Sequence, residues 1–171
     1  MHVKYFYPFG YFWPVQWGAD TVAVSHLDYF RERVIDAVAG MPPQARRTSH
    51  VPSGWTPLGL LKHLRYVEMR WIEWGFQGRD VDEPWADSRD DVWYAAPEEE
   101  FDDLVAALRK QGEHTRAAAT TIDLDQKGVP GDRWDGADPA SLDRVLLHLI
   151  QEYAHHAGHI DIVAELLTAA E

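Results

Sequence analysis

The amino-acid sequence predicts an all-α protein, a four-helix bundle that forms a single domain over residues 1–171. Four segments repeat apolar side chains at every third and fourth position, which is the spacing of an amphipathic helix. No segment shows a convincing alternation of apolar and polar residues, as a half-buried strand would. Four long amphipathic helices in a chain of this size most simply pack as a bundle, here over residues 20–170.

The first two helices have clear boundaries in the sequence. The first is predicted over Asp20–Ala39 and ends at Gly40, ahead of two prolines. The second begins after Thr56, whose hydroxyl can cap the helix, with Pro57 in the first helical position. Because its apolar pattern continues without a break, we expect this helix to reach Gly75.

The last two helices begin at acidic or capping signals. The third is predicted to start after Pro97, where the acidic turn Glu98–Glu100 suits the positive end of the helix dipole. The fourth is predicted to start at Asp138, a capping residue followed by Pro139, and to continue to the C-terminus.

Two aromatic segments lie outside these helices. Residues 76–96 make a long connection that carries Trp85, Trp93 and Tyr94, so this loop either serves the function or only covers the end of the bundle. Residues 1–19 form an aromatic-rich N-terminal extension, which would expose a large apolar area in water. We expect the extension to pack on its own bundle near the mouth of a pocket, with contact in a homodimer as the alternative.

The charge of the chain argues against several classes of partner. The formal net charge is -12, the isoelectric point is about 5.1, and no basic cluster interrupts the acidic surface. Neither nucleic acid nor an anionic membrane is therefore an expected partner. The sequence has no uninterrupted apolar stretch long enough for a membrane span and no signal-peptide pattern, so a cytoplasmic protein is expected.

The sequence contains no cysteine. Disulfides, zinc sites with cysteine ligands and a cysteine nucleophile are therefore excluded. Any thiol chemistry would need a thiol that a second molecule supplies.

The most unusual stretch is HLIQEYAHHAGH, which begins at residue 148 in the fourth predicted helix. At about 100° per residue, its four histidines and its glutamate fall within roughly one third of the helix circumference. Apolar residues continue the same stripe in both directions, which indicates that it faces the core. A polar group facing a core must be paired or bound to metal, since an unsatisfied one costs several kcal/mol.

The i, i+4 spacing that lets one cation bind both side chains is found for Glu152 with His156 and for His155 with His159. A third ligand must then come from another helix, and His63 is the evident candidate because it lies among leucines of the second helix. Three nitrogen and oxygen ligands without a thiolate suit Zn²⁺, Ni²⁺, Fe²⁺ or Mn²⁺ and leave positions open for substrate. The pattern therefore predicts a catalytic metal site.

The segments TPLGLLKHLRYVEMRW and LLHLIQEYAHHAGHIDIVAEL, at residues 56–71 and 146–166, resemble the DinB-like superfamily of metal-binding four-helix bundles. The nearest resemblance is to its branch of unknown function, some of whose members are mycothiol S-transferases. The resemblance covers Asp20 to Leu167 and implies the metal ligands His63, Glu152 and His156. His159, one turn further along, is implied as an alternative ligand or as a partner of the ligands.

The resemblance also implies a reaction in which the metal activates the thiol of a low-molecular-weight cosubstrate such as mycothiol. The protein is then a metal-dependent thiol S-transferase acting on a small electrophile, with zinc as the first candidate metal. Tyr153, His159 and Asp161 are candidates for orienting the ligands, and Arg65 and Arg70 for binding a sugar-containing thiol. Two alternatives stay open: a metal-binding or stress-response module without chemistry, and a helical interaction protein whose histidines form a hydrogen-bonded network.

Overall fold

The computed structural model of the protein describes the backbone of residues 19–169 and the side chains of residues 22–169. The predicted aromatic extension, with its expected packing and dimer contact, lies outside these residues apart from Ala19. The described residues form five α-helices: α1 (Ala19–Ala39), α2 (Pro43–Arg46), α3 (Pro57–Met69), α4 (Phe101–Thr121) and α5 (Leu142–Ala169). Within the described range, no helix is long and apolar enough for a bilayer crossing.

The four long helices pack around one apolar core, so the predicted all-α bundle is confirmed. Helix α1 contacts α4 and α5, and α3 contacts the same two helices. Each long helix supplies fully buried leucines, for example Leu27, Leu61, Leu108 and Leu149. Burying one such side chain contributes about 1.5–3 kcal/mol, so the core is the main source of stability.

The second helix begins as the sequence predicts but changes its winding before it ends. The Thr56 hydroxyl accepts a hydrogen bond from the Gly59 N–H at 3.0 Å, and Pro57 follows the cap. After α3 the chain continues as a π-helical segment over Arg70–Phe76. Such turns are frequent at functional sites because the extra residue per turn redirects the side chains that follow.

The last two long helices begin later than predicted. Helix α4 starts at Phe101 and not directly after Pro97. In the turn before it, the Glu99 carboxylate accepts hydrogen bonds from Lys62 Nζ at 2.8 Å and from the Ala96 N–H at 2.6 Å. Helix α5 starts at Leu142, whose N–H donates to the Gln126 carbonyl at 3.0 Å. The residues just before Leu142 form backbone hydrogen bonds with another segment of the chain, so they are not part of α5.

The absence of strands was a wrong prediction, although the sheet is very small. Strands β1 (Ser88–Arg89) and β2 (Val92–Trp93) form an antiparallel hairpin inside the long loop. Its two turn residues, Asp90 and Asp91, have φ values of 52° and 62°. Positive φ at both central residues is typical of a type I′ turn, whose twist matches that of the strands.

A buried ion pair joins all four long helices. Arg31 of α1 donates to Glu68 of α3 through Nε and Nη2, at 3.0 and 2.8 Å. Tyr153 of α5 and Thr115 of α4 donate their hydroxyls to the two carboxylate oxygens of Glu68, each at 2.5 Å. A Cβ added at Gly112 would lie 2.4 Å from Arg31 Cζ, so this glycine makes room for the guanidinium.

Candidate metal centre

Side chains from two helices converge at one point of the bundle. His63 on α3 and Glu152 and His156 on α5 each offer a ligand atom, and these three atoms lie within 4.8 Å of one another. The i, i+4 spacing places Glu152 Oε2 and His156 Nε2 3.4 Å apart. Ligands of a tetrahedral zinc ion with bonds of about 2.0–2.1 Å lie roughly 3.4 Å from each other. The two α5 side chains therefore already have the spacing of a metal site.

His63 is held in place by a buried carboxylate. Its Nδ1 lies 2.9 Å from Asp87 Oδ2, and Arg70 donates to both oxygens of Asp87, at 2.7 and 3.1 Å. A carboxylate that accepts a hydrogen bond from one ring nitrogen fixes the tautomer and leaves the other nitrogen free to bind metal. Asp87 thus directs Nε2 of His63 towards α5.

The local electrostatics favour the protonation states that metal ligands need. Burial lowers the pKa of His63 below its usual value, and the nearby His156 lowers it further. A hydrogen bond from His156 lowers the pKa of Glu152. Burial alone would raise the pKa of Asp87, but the hydrogen bonds from His63 and Arg70 outweigh it and the pKa falls. At neutral pH His63 is therefore neutral, and Glu152 and Asp87 are charged.

The other histidines of α5 surround this group. His148 Nε2 lies 3.4 Å from Glu152 Oε1, and its ring packs on Trp71 at a centroid distance of 4.2 Å. His159 Nδ1 lies 3.2 Å from His156 Nδ1, and His155 is exposed. The pair that lies near His63 is Glu152 with His156, and metal binding by these three side chains or by His159 stays a prediction.

Three proposed supporting residues have other partners. Tyr153 donates to Glu68 in the core, and Asp161 pairs with Arg33 at 2.5 Å, so these two polar side chains have partners outside the ligand group. Arg70, considered above for binding a sugar, is buried and holds Asp87 instead.

The long loop covers the three converging side chains. The Trp93 ring stacks on the His63 ring at 4.4 Å with an interplanar angle of 20°, and it meets the His156 ring in a T-shaped contact at 4.7 Å. Gly59 permits this contact, because a Cβ there would lie 2.6 Å from the Trp93 carbonyl oxygen. Trp85 lies over the Arg70 guanidinium at 4.3 Å. The loop therefore both covers the group and supports it.

Sequence reasoning missed Asp87 and the role of Trp93 as a cover. The aromatic loop itself was a signal for Trp93, since such residues in a long connection need something to pack on. Nothing in the spacing of Asp87 relates it to His63, which precedes it by 24 residues.

The donor set fits a divalent metal ion. Two neutral imidazoles and one carboxylate are the ligands of many catalytic zinc sites, in which the remaining position is left for water or substrate. His63, Glu152 and His156 are the residues that could hold the ion, supported by Asp87.

The chain is similar to known proteins in both sequence and fold. No curated protein has a matching sequence. Among solved structures, the chain is similar to a crystal structure described as the conserved protein of a locus from Enterococcus faecalis, with a TM-score of 0.63 and 16% identity. The likeness covers 90% of this chain and 99% of that chain, and at this identity it shows the fold alone. A family model described as mycothiol-S-transferase matches residues 22–169, and the chain therefore belongs to the mycothiol-S-transferase family.

Proposed function

We propose that the protein is a metal-dependent S-transferase that joins a low-molecular-weight thiol, mycothiol or a close analogue, to a small electrophile. The observation that carries this proposal is the convergence of His63, Glu152 and His156 in a chain of the mycothiol-S-transferase family. The absence of cysteine from the sequence agrees with a nucleophile that the cosubstrate brings.

The proposed reaction is a substitution at the electrophilic carbon. His63, Glu152 and His156 would hold a divalent cation, which would lower the pKa of a bound thiol so that its sulfur could react as a thiolate. A bond forms between sulfur and carbon, the bond to the leaving group breaks, and its electron pair departs with that group. The thiol proton goes to the solvent. Zinc suits the donor set best, with nickel, iron and manganese as alternatives.

The chain itself contributes orientation and exclusion of water. Asp87, itself paired with Arg70, holds the imidazole of His63 in one tautomer. The Trp93 ring stacks on His63 and makes a T-shaped contact with His156, which keeps bulk water from that side of the site. Electrostatic interactions are stronger where water is excluded, so this cover strengthens the hold of the ligands on the cation.

The test combines metal depletion with a matched pair of variants. Protein purified without a histidine tag is stripped with a chelator, reloaded with each metal in turn, and assayed with mycothiol and a benzylic chloride. We expect turnover that needs both thiol and metal and that is lost in His63→Ala. His155→Ala is the control, because His155 is exposed and not in the ligand group, and it should keep the activity.

The same assay separates the alternatives. Stoichiometric metal without thiol-dependent turnover would indicate a metal-binding module, and a protein that takes up no metal would indicate a helical interaction protein. A homodimer and a cytoplasmic location stay predictions of the sequence.

A further inference from the structure

A cavity lies beside the candidate metal centre, between the hairpin and the C-terminal half of α5. Its volume is about 390 Å³, which is within the range of roughly 300–1,000 Å³ found for small-molecule sites. Its walls include Trp55, Val92, Trp93 and Ile162, and its polar lining residues include Asp91 and His159.

The cavity is next to the ligand group. Trp93, which lines it, is also the ring that stacks on His63 and meets His156. His159, which also lines the cavity, lies 3.2 Å from His156 through the two Nδ1 atoms. A molecule in the cavity is therefore in contact with side chains that themselves touch two of the proposed ligands.

The charges of its lining residues distinguish this cavity from a second cavity nearby. Among the described residues that line it there is no lysine or arginine, and Asp91 is the lining carboxylate. A second cavity of about 480 Å³ shares Val92 and Trp93 but is lined by Arg47 and Arg89. Apart from the proposed metal ion, an anionic molecule in the first cavity would meet no cationic side chain to replace its hydration, whereas one in the second cavity would meet two arginines.

The geometry points to the first cavity as the site of the acceptor, and to an uncharged, apolar or aromatic electrophile as its class. This inference rests on the proposed S-transferase function. The aromatic walls bind the acceptor by apolar burial and present its electrophilic carbon towards the centre, while the lack of a wall cation disfavours acceptors that carry a carboxylate.

Two acceptors of nearly the same shape test the inference: 4-(chloromethyl)benzamide and 4-(chloromethyl)benzoate. In both, a sulfur–carbon bond replaces the carbon–chlorine bond, chloride leaves with the electron pair, and the thiol proton goes to the buffer. We expect the amide to be preferred in kcat/KM by about tenfold or more, because charge is the main difference between the two molecules.

Ile162→Lys places a cation on the cavity wall at a side chain that is already 55% exposed, so the variant should fold. The control is Leu166→Lys, one turn further along α5, 47% exposed and not a lining residue of the cavity. We expect the preference for the amide to fall by about tenfold in Ile162→Lys through KM and to be unchanged in Leu166→Lys.

Ligand-observed NMR with the unreactive 4-methylbenzamide and 4-methylbenzoate gives a second readout that needs no thiol. The amide should bind the metal-loaded protein more tightly, and Ile162→Lys should strengthen binding of the carboxylate.

If thiol transfer occurs but neither readout depends on acceptor charge, the acceptor inference is wrong and the S-transferase function stands. If no transfer occurs but the NMR preference holds, the function fails and the cavity still selects uncharged molecules. Equal binding of both compounds to wild type would overturn the inference in either case.

Discussion

Replacing Asp87 with asparagine tests how His63 is oriented. The Asp87 carboxylate accepts hydrogen bonds from Arg70 at 2.7 and 3.1 Å and from His63 Nδ1 at 2.9 Å. In Asp87→Asn, the permanently charged Arg70 should hold the amide oxygen, so the amide NH₂ faces His63. The ring must then accept a hydrogen bond at Nδ1 and carry its proton on Nε2, which is the wrong tautomer for binding metal.

The expected loss follows from the geometry. Partners of metal-bound histidines typically contribute 10–100-fold to metal affinity, which corresponds to about 1.4–2.7 kcal/mol. The Arg70 side chain is 5% exposed and that of Asp87 is 2% exposed, so solvent does not screen the pair. The variant also leaves the buried guanidinium without its counter-charge, and breaking a buried pair costs about 3–5 kcal/mol of folding free energy.

Competition with a chromophoric zinc chelator measures the affinity, and denaturant unfolding measures the stability. Asp82→Asn is the control, since Asp82 is an exposed carboxylate of the same loop and should leave both quantities unchanged. Nitrogen chemical shifts of the His63 ring report the tautomer directly. An Asp87→Asn protein that binds zinc as tightly as wild type would refute the role assigned to Asp87.

Three further predictions concern stability. Gly112→Ala should destabilise the protein by about 3 kcal/mol, because the new Cβ would lie 2.4 Å from Arg31 Cζ and disturb the buried ion pair; an unchanged midpoint in urea would contradict this. Gly158→Ala should instead stabilise it by up to about 1 kcal/mol, since a Cβ at this exposed helical position meets nothing within 4 Å and alanine is the better helix former; a lower midpoint would argue against it. Burial lowers the pKa of His63 below the unfolded value of about 6.5. Near that pH the folded metal-free protein therefore binds fewer protons than the unfolded chain. Its free energy of unfolding should decrease as the pH falls from 7.5 through 6.5 towards the folded pKa. Thermal midpoints at several pH values should fall less steeply in His63→Gln, and equal slopes in the two proteins would refute this cause.

Much of the fold follows from local sequence signals. The spacing of leucines and valines gives the four long helices, and the Thr56 and Pro57 pair gives the start of α3, because both depend on residues a few positions apart. The late starts of α4 and α5 could not be found this way. Glu99, which precedes α4, and Leu142, which begins α5, make hydrogen bonds with other parts of the chain, and such partners depend on the finished fold.

In the candidate site, too, local sequence signals predict some residues, whereas others are recognised only in the folded structure. The i, i+4 spacing and the resemblance to DinB-like proteins lead to Glu152 and His156, and a histidine among leucines leads to His63. Tyr153 was misplaced because adjacency in sequence to Glu152 does not give adjacency in space. Successive helical residues are about 100° apart, and Tyr153 therefore lies deeper in the core, on Glu68. Asp87 lies in a loop without periodicity, so only the tertiary structure brings it to His63.

The most direct test of the proposed centre is an anomalous difference map from crystals of the zinc-loaded protein, collected at the zinc edge. We expect a peak about 2.0–2.2 Å from one nitrogen of His63, one nitrogen of His156 and a carboxylate oxygen of Glu152, and no peak there in crystals of His63→Ala. A zinc ion held by His155 and His159, or no zinc near His63, would contradict the proposed centre and remove the basis for the S-transferase reaction.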